Sequence, residues 1–166
     1  MRTPVRALGR SLLLAAALAG GCGRGGAGGG PEEGTSEFRH KAPHGGTMVA
    51  LGDDFNLELV RDAETGVLSA YILDDDAEDF VRSADSAIAI QATEGGRTHD
   101  LILSAVANPA TGETVGDSAL FQTRADWLRG SDPFAARLAR LTVHGSTFTN
   151  IRFNVPASEG VRSEWR

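Results

Sequence analysis

The chain has 166 residues, 41% of them hydrophobic, with 16 Lys+Arg against 22 Asp+Glu and a formal net charge of −6. That length suits a single domain, and the acidic balance argues against nucleic acid and against electrostatic attachment to anionic lipid. One cysteine is present, which excludes an internal disulfide framework and leaves the fold to be held by its core.

That cysteine, Cys22, closes an N-terminal export signal. Arg2, Arg6 and Arg10 form a positive region, and Ser11 to Gly21 is an apolar stretch that shrinks to small residues just before the thiol. This order is that of a secretory signal with a small-residue cleavage site. The run is about half the 20 residues that a spanning helix needs. Because cleavage would fall directly before a cysteine, the segment resembles the lipobox of bacterial lipoproteins, with Ala19 where Leu is usual. The resemblance implies acylation of Cys22, and Gly23 after it implies sorting to the outer membrane, facing the periplasm. Acylation also removes a lone thiol from an oxidising compartment. Loss of residues 1–21 takes the three arginines with it, leaving 13 Lys+Arg against 22 Asp+Glu and a net charge of −9.

Residues 22–37 then read as the lipidated cysteine and a Gly-rich tether. The stretch GRGGAGGGPEEGTSE holds almost no apolar side chain, so burial cannot offset the entropy of ordering it. A coil of this length spans about 20 Å. The domain is expected over 38–166.

His40-Lys-Ala-Pro-His-Gly-Gly-Thr-Met48 follows. His40, His44 and Met48 are four apart, but Pro43, Gly45 and Gly46 oppose a helix. In a loop the glycines permit tight turns that bring two imidazoles and a thioether together, a donor set suited to copper or zinc, with the thioether favouring copper(I). The competing reading is a lead-in to the first strand with exposed histidines. Both stay open.

From Met48 onward hydrophobic residues alternate with period two. Leu57 and Leu59, then Leu68, Ala70 and Ile72, flank the turn residues Asp62 to Gly66 and predict a hairpin. Asp74, Asp75, Asp76, Glu78 and Asp79 form an acidic run. Calcium takes clustered oxygens, but this run lacks the spacing of an EF-hand loop and reads as a solvated turn. Ile88 and Ile90 pair with Leu101, Leu103 and Ala105 across Thr93 to Arg97. His99 shares parity with Leu101 and is expected to be a satisfied core histidine. Ala119 to Thr123 makes a short strand. Ala125 to Arg140 is the only plausibly helical stretch, broken by Gly130 and Pro133. Leu141 and Val143 pair with Ile151, Phe153 and Val155 through His144-Gly145-Ser146. The expected fold is all-β, an antiparallel sandwich or small barrel of about 7–8 short strands with one short helical turn near 125–136. Leu59, Ile72, Ile90, Leu103, Val143 and Phe153 are the expected core.

Pro43-His44-Gly45-Gly46, followed by Leu57-Glu58-Leu59 and Tyr71-Ile72-Leu73-Asp74, resembles the start of a small β domain in periplasmic adaptor subunits of heavy-metal efflux systems. The likeness covers about 35 residues and implies a metal-handling accessory, carried over to His44. This chain lacks the long hairpin and membrane-fusion regions of those adaptors. Residues 40–156, with Gly112-Glu113-Thr114-Val115-Gly116 and Phe148 to Phe153, resemble small lipoproteins of planctomycete-type bacteria that carry no established activity. No Gly-x-Ser-x-Gly elbow or ordered triad is visible, so the expectation is not an enzyme. It is a membrane-anchored lipoprotein with a binding domain, serving as a metal accessory through His40, His44 and Met48. The alternative is a structural or protein-interaction lipoprotein with no metal site. Cys22→Ser is expected to release the protein from membrane fractions; a mutant that still partitions with membranes after a carbonate wash contradicts the anchor.

Overall fold

The structure is a computed structural model, and it describes residues 41–130 and 132–157. Residues 1–21, the tether 22–37 with Cys22, and His40 lie outside the described residues. Eight strands follow in order: β1 (Thr47–Leu51), β2 (Phe55–Asp62), β3 (Val67–Asp74), β4 (Ala87–Glu94), β5 (Arg97–Ala105), β6 (Leu120–Arg124), β7 (Phe134–Val143) and β8 (Ser146–Val155). The fold is all-β, as the alternation predicts. No helix among the described residues is long and apolar enough to cross a membrane.

All pairings are antiparallel, and the strands lie in the order β1-β2-β3-β6-β5-β4-β7-β8. The sheet curls into a nearly closed barrel. Its interior is filled by the inward-facing residues, with Phe121, Leu57, Leu59, Ile72, Ile90 and Leu138 among those fully buried. An eight-stranded barrel has just the width that side chains fill, so ligand space lies on the outside. Side chains of β2 reach across β1 to the β8 side of the opening. Phe55 meets Phe148 edge-on at 6.2 Å at one end, and Arg61 Nη2 donates to the Pro156 carbonyl at 3.2 Å at the other.

The hairpins follow local turn chemistry. His144 and Gly145 both have positive φ, 47° and 85°, which a two-residue turn between twisted strands requires. In the β2–β3 turn, Asp62 accepts hydrogen bonds from the Thr65 hydroxyl at 2.5 Å and from the Glu64 and Thr65 amides. Those bonds, the hydroxyl's first, hold the Asp62 carboxyl below the usual carboxylate range. A lowered folded pKa means this stabilisation is present at neutral pH and fades as pH falls into the acid range.

The short helical turn expected near 125–136 is present as a 3-10 turn at Asp126–Arg129. Two local expectations are corrected: β7 begins at Phe134, taking residues that read as plausibly helical up to Arg140. Phe134, Ala136 and Leu138 recur at spacing two and face the core, so tertiary burial outweighs the helical propensity of the alanines and arginines. Phe153 is half-buried, packed against the core from the last strand, where only one strand covers its flank. Leu59, Ile72, Ile90, Leu103 and Val143 are buried as expected. Phe121→Ala is therefore expected to cost about 3–5 kcal/mol in urea denaturation and Phe153→Ala less than about half of that; equal losses contradict this placement.

Candidate functional site

Pairing places Met48 opposite Glu58, Glu58 opposite Tyr71, and Tyr71 opposite Leu120, in one row across β1, β2, β3 and β6. Their parity is opposite to that of Leu57 and Leu59, so the row lies on the outer face. An outward glutamate ordinarily meets water, yet Glu58 is 0% exposed. Residues 42–46 fold back over it. Its Oε1 accepts the His44 amide and the Gly46 amide, each at 2.8 Å. Its Oε2 accepts the His44 Nδ1–H, also at 2.8 Å. Removed from water, the carboxylate is compensated by charge-assisted bonds from three donors.

Each glycine of Pro-His-Gly-Gly has a separate task. Gly45 has φ +71°, and its amide bonds back to the Ala42 carbonyl at 3.1 Å, so the turn needs a residue free of the left-handed penalty. Gly46 needs the space. A Cβ there would lie 2.5 Å from the Leu59 carbonyl oxygen and 2.9 Å from Glu58 Cγ, which would push the segment off the carboxylate.

The clamp fixes the His44 ring. It stacks on Tyr71 with centroids 4.0 Å apart and planes 11° from parallel. Phe80 stands 5.8 Å from His44 and 6.0 Å from Tyr71, and is 54% exposed. Phe80 is carried there by the β3–β4 connection, which bridges back to Leu73. Beside the aromatics lies a cleft of about 400 Å3 bounded by Tyr71, Phe80, Arg82, Asn108, Glu113 and Leu120. Its polar walls are held in place. Arg82 donates to Asp117 Oδ2 at 3.0 Å and to the Thr111 carbonyl at 2.6 Å. Glu113 accepts the Ala119 amide at 2.8 Å and the Thr111 hydroxyl at 2.5 Å.

Of the expected metal ligands, His44 stands in this site. Its Nδ1 is engaged by Glu58, and Nε2 has no hydrogen-bond partner among the described residues. Met48 is half-buried on β1, whereas the His44 ring lies over β3, with Glu58 on the strand between. His40 lies outside the described residues, among which no group of three or more His, Cys, Asp or Glu is placed to hold a metal ion. The acidic run is a loop in which Asp74 Oδ1 accepts the Glu78 and Asp79 amides. His99 is not satisfied as expected. Its Nε2 is buried with no hydrogen-bond partner among the described residues, and Glu94 Oε2 lies 3.9 Å away, while its ring stacks on Trp127 at 4.3 Å. Nearby Arg61 is pushed below its ordinary range by burial, against the pull of Asp132 and Glu94.

Compared with known proteins, the chain matches no family, no curated protein and no solved structure. Function is therefore argued from this geometry.

Glu58→Ala leaves two amides and the Nδ1–H without their acceptor. It is expected to destabilise the fold by about 1–3 kcal/mol and to speed hydrogen exchange of the Gly46 amide. An unchanged Gly46 exchange rate contradicts the clamp.

Proposed function

We propose that this protein is a non-enzymatic lipoprotein of the cell envelope, anchored through Cys22, whose barrel presents a binding site to an envelope ligand or partner protein. The supporting observation is the clamped His44 ring stacked on Tyr71 beside the exposed Phe80, next to a cleft of about 400 Å3. That volume falls within the range of small-ligand sites, and a rigid aromatic anchor at the mouth of a concave surface is the usual centre of a binding face. The cleft's Arg82 and Glu113 are each engaged in contacts within the fold, which suits positioning better than proton transfer. A photo-crosslinking residue at Phe80 is expected to give a discrete adduct in cells, while one at Ile102, equally exposed on the outer face of β5, is not. Matching adduct patterns at both positions contradict the site.

One observation favours a second reading, a metal accessory. A metal-ligating histidine commonly gives its other ring N–H to a carboxylate, which is the relation of His44 Nδ1 to Glu58. Nε2 would then coordinate copper or zinc, with the remaining ligands from His40, Met48 or a partner. A coordinating imidazole must be neutral, so the metal competes with protons for the ring. Calorimetric titration with zinc and copper(I) is expected to show binding that His44→Ala abolishes. Wild type and mutant giving the same isotherm removes the metal from the proposal and leaves the cleft.

A further inference from the structure

The outer faces of β4, β7 and β8 form a grid independent of the site above. Gln91 pairs with Arg137 and Arg137 with Arg152 in one row; Thr93 pairs with Ala135 and Ala135 with Asn154 in the next. Ala135 is short, and around it lies a groove of about 490 Å3 bounded by Arg137, Arg152, Gln91, Thr93 and Asn154.

The charge of this face is unbalanced. Neither β7 nor β8 contains a carboxylate, and Arg137, Arg140 and Arg152 are all exposed on them. Among the described residues Arg137 donates to neutral acceptors, Asn150 Oδ1 at 3.3 Å and Gln91 Oε1 at 3.4 Å. Gln91 is turned toward it because its Nε2 donates to Asp100 Oδ1 at 3.0 Å. Arg152 has no hydrogen-bond or ion-pair partner among the described residues. Like charges set directly opposite each other on adjacent strands destabilise a sheet, and among the described residues no carboxylate forms an ion pair with either arginine.

The acidic net charge does not cancel this face. The Asp53-Asp54 turn and the Asp74–Asp79 loop sit at the barrel end where Phe55 pairs with Asp74 and meets His144. Arg137 and Arg152 lie toward the other end, near the Phe134–Val155 pair. Asp100 on β5 ends the same row beyond Gln91, whose amide it holds; salt screens the more distant carboxylates over about 8–10 Å, and the charged residues that line the groove itself are Arg137 and Arg152.

We propose that this groove binds a phosphate-type oxyanion between the guanidinium groups of Arg137 and Arg152, with Thr93 and Asn154 at its rim. Each guanidinium presents a planar fork that matches a tetrahedral oxyanion, and two forks suit a phosphate dianion better than a single carboxylate. The phosphate could belong to a lipid headgroup or to a soluble phosphate compound, and the test separates these sources.

The probe is inorganic pyrophosphate, titrated at low salt into the chain carrying Cys22→Ser while the arginine side-chain Nε–H signals are followed by NMR. Saturable shifts of Arg137 and Arg152 are expected, with affinity lowered about tenfold or more in Arg152→Gln and only partly restored in Arg152→Lys, which lacks the fork. Flotation with vesicles of phosphatidylglycerol and phosphatidylcholine then assigns the source. Binding that requires both phosphatidylglycerol and Arg152 supports the headgroup, and pyrophosphate binding without flotation supports a soluble phosphate. No response of either signal up to about 10 mM pyrophosphate, a concentration that would miss only very weak binding, overturns the site. So does an unchanged titration in the Arg137→Gln/Arg152→Gln variant, whose folding is checked by its amide spectrum.

Discussion

A carboxylate on the outward face of a strand belongs in water, and Glu58 has been taken out of it. Burial of that charge is tolerable only because the His44 amide, the Gly46 amide and the His44 ring donate to it together. The dependence runs both ways. Without Glu58 the 42–46 segment loses its three hydrogen bonds to the barrel and keeps only packing such as His44 on Tyr71, and without that segment Glu58 is an ordinary surface residue. From this one ion follow the path of the chain into β1, the orientation of the His44 ring and its stacking on Tyr71. Gly45 and Gly46 serve the same end, one through its backbone angle and the other through the absence of a side chain.

The barrel supplies what the clamp needs. Register sets Met48, Glu58, Tyr71 and Leu120 in one outward row, and the long β3–β4 connection brings Phe80 to the end of that row. Ser83 and Asp85 pin this connection to β7, through bonds of 2.7 Å and 2.8 Å to the Thr142 carbonyl and amide. A packed interior forces recognition to the exterior, and the exterior is chemically divided. The β3–β6 side carries aromatic rings and a cleft; the β7–β8 side carries arginines without carboxylates.

Period-two alternation made the strands and hairpins legible because each is a local matter of inward residues and turn chemistry. Strand order was not legible. The pairing of β3 with β6 and of β4 with β7 is decided by long-range burial, which leaves no mark in a short window of sequence. The stretch from Phe134 misled for a related reason: its alanines and arginines favour helix locally, whereas Phe134, Ala136 and Leu138 are claimed by the core. His44 stood out by residue type and by its two glycines. Glu58 did not, since a glutamate between Leu57 and Leu59 has the pattern of any solvent-facing strand position. His99 shares the core parity of Leu101, but parity says nothing of whether a ring nitrogen finds a partner.

The tautomer of His44 tests the clamp most directly. Long-range 1H–15N correlation of the imidazoles, with His44 assigned through His44→Ala, reads which ring nitrogen carries the proton when the ring is neutral. The expected result is a proton on Nδ1, donated to Glu58, with Nε2 bare, and a redistribution of that proton in Glu58→Ala. A neutral His44 protonated on Nε2 in the wild type, or one whose tautomer is indifferent to Glu58, contradicts the clamp and the site built on it.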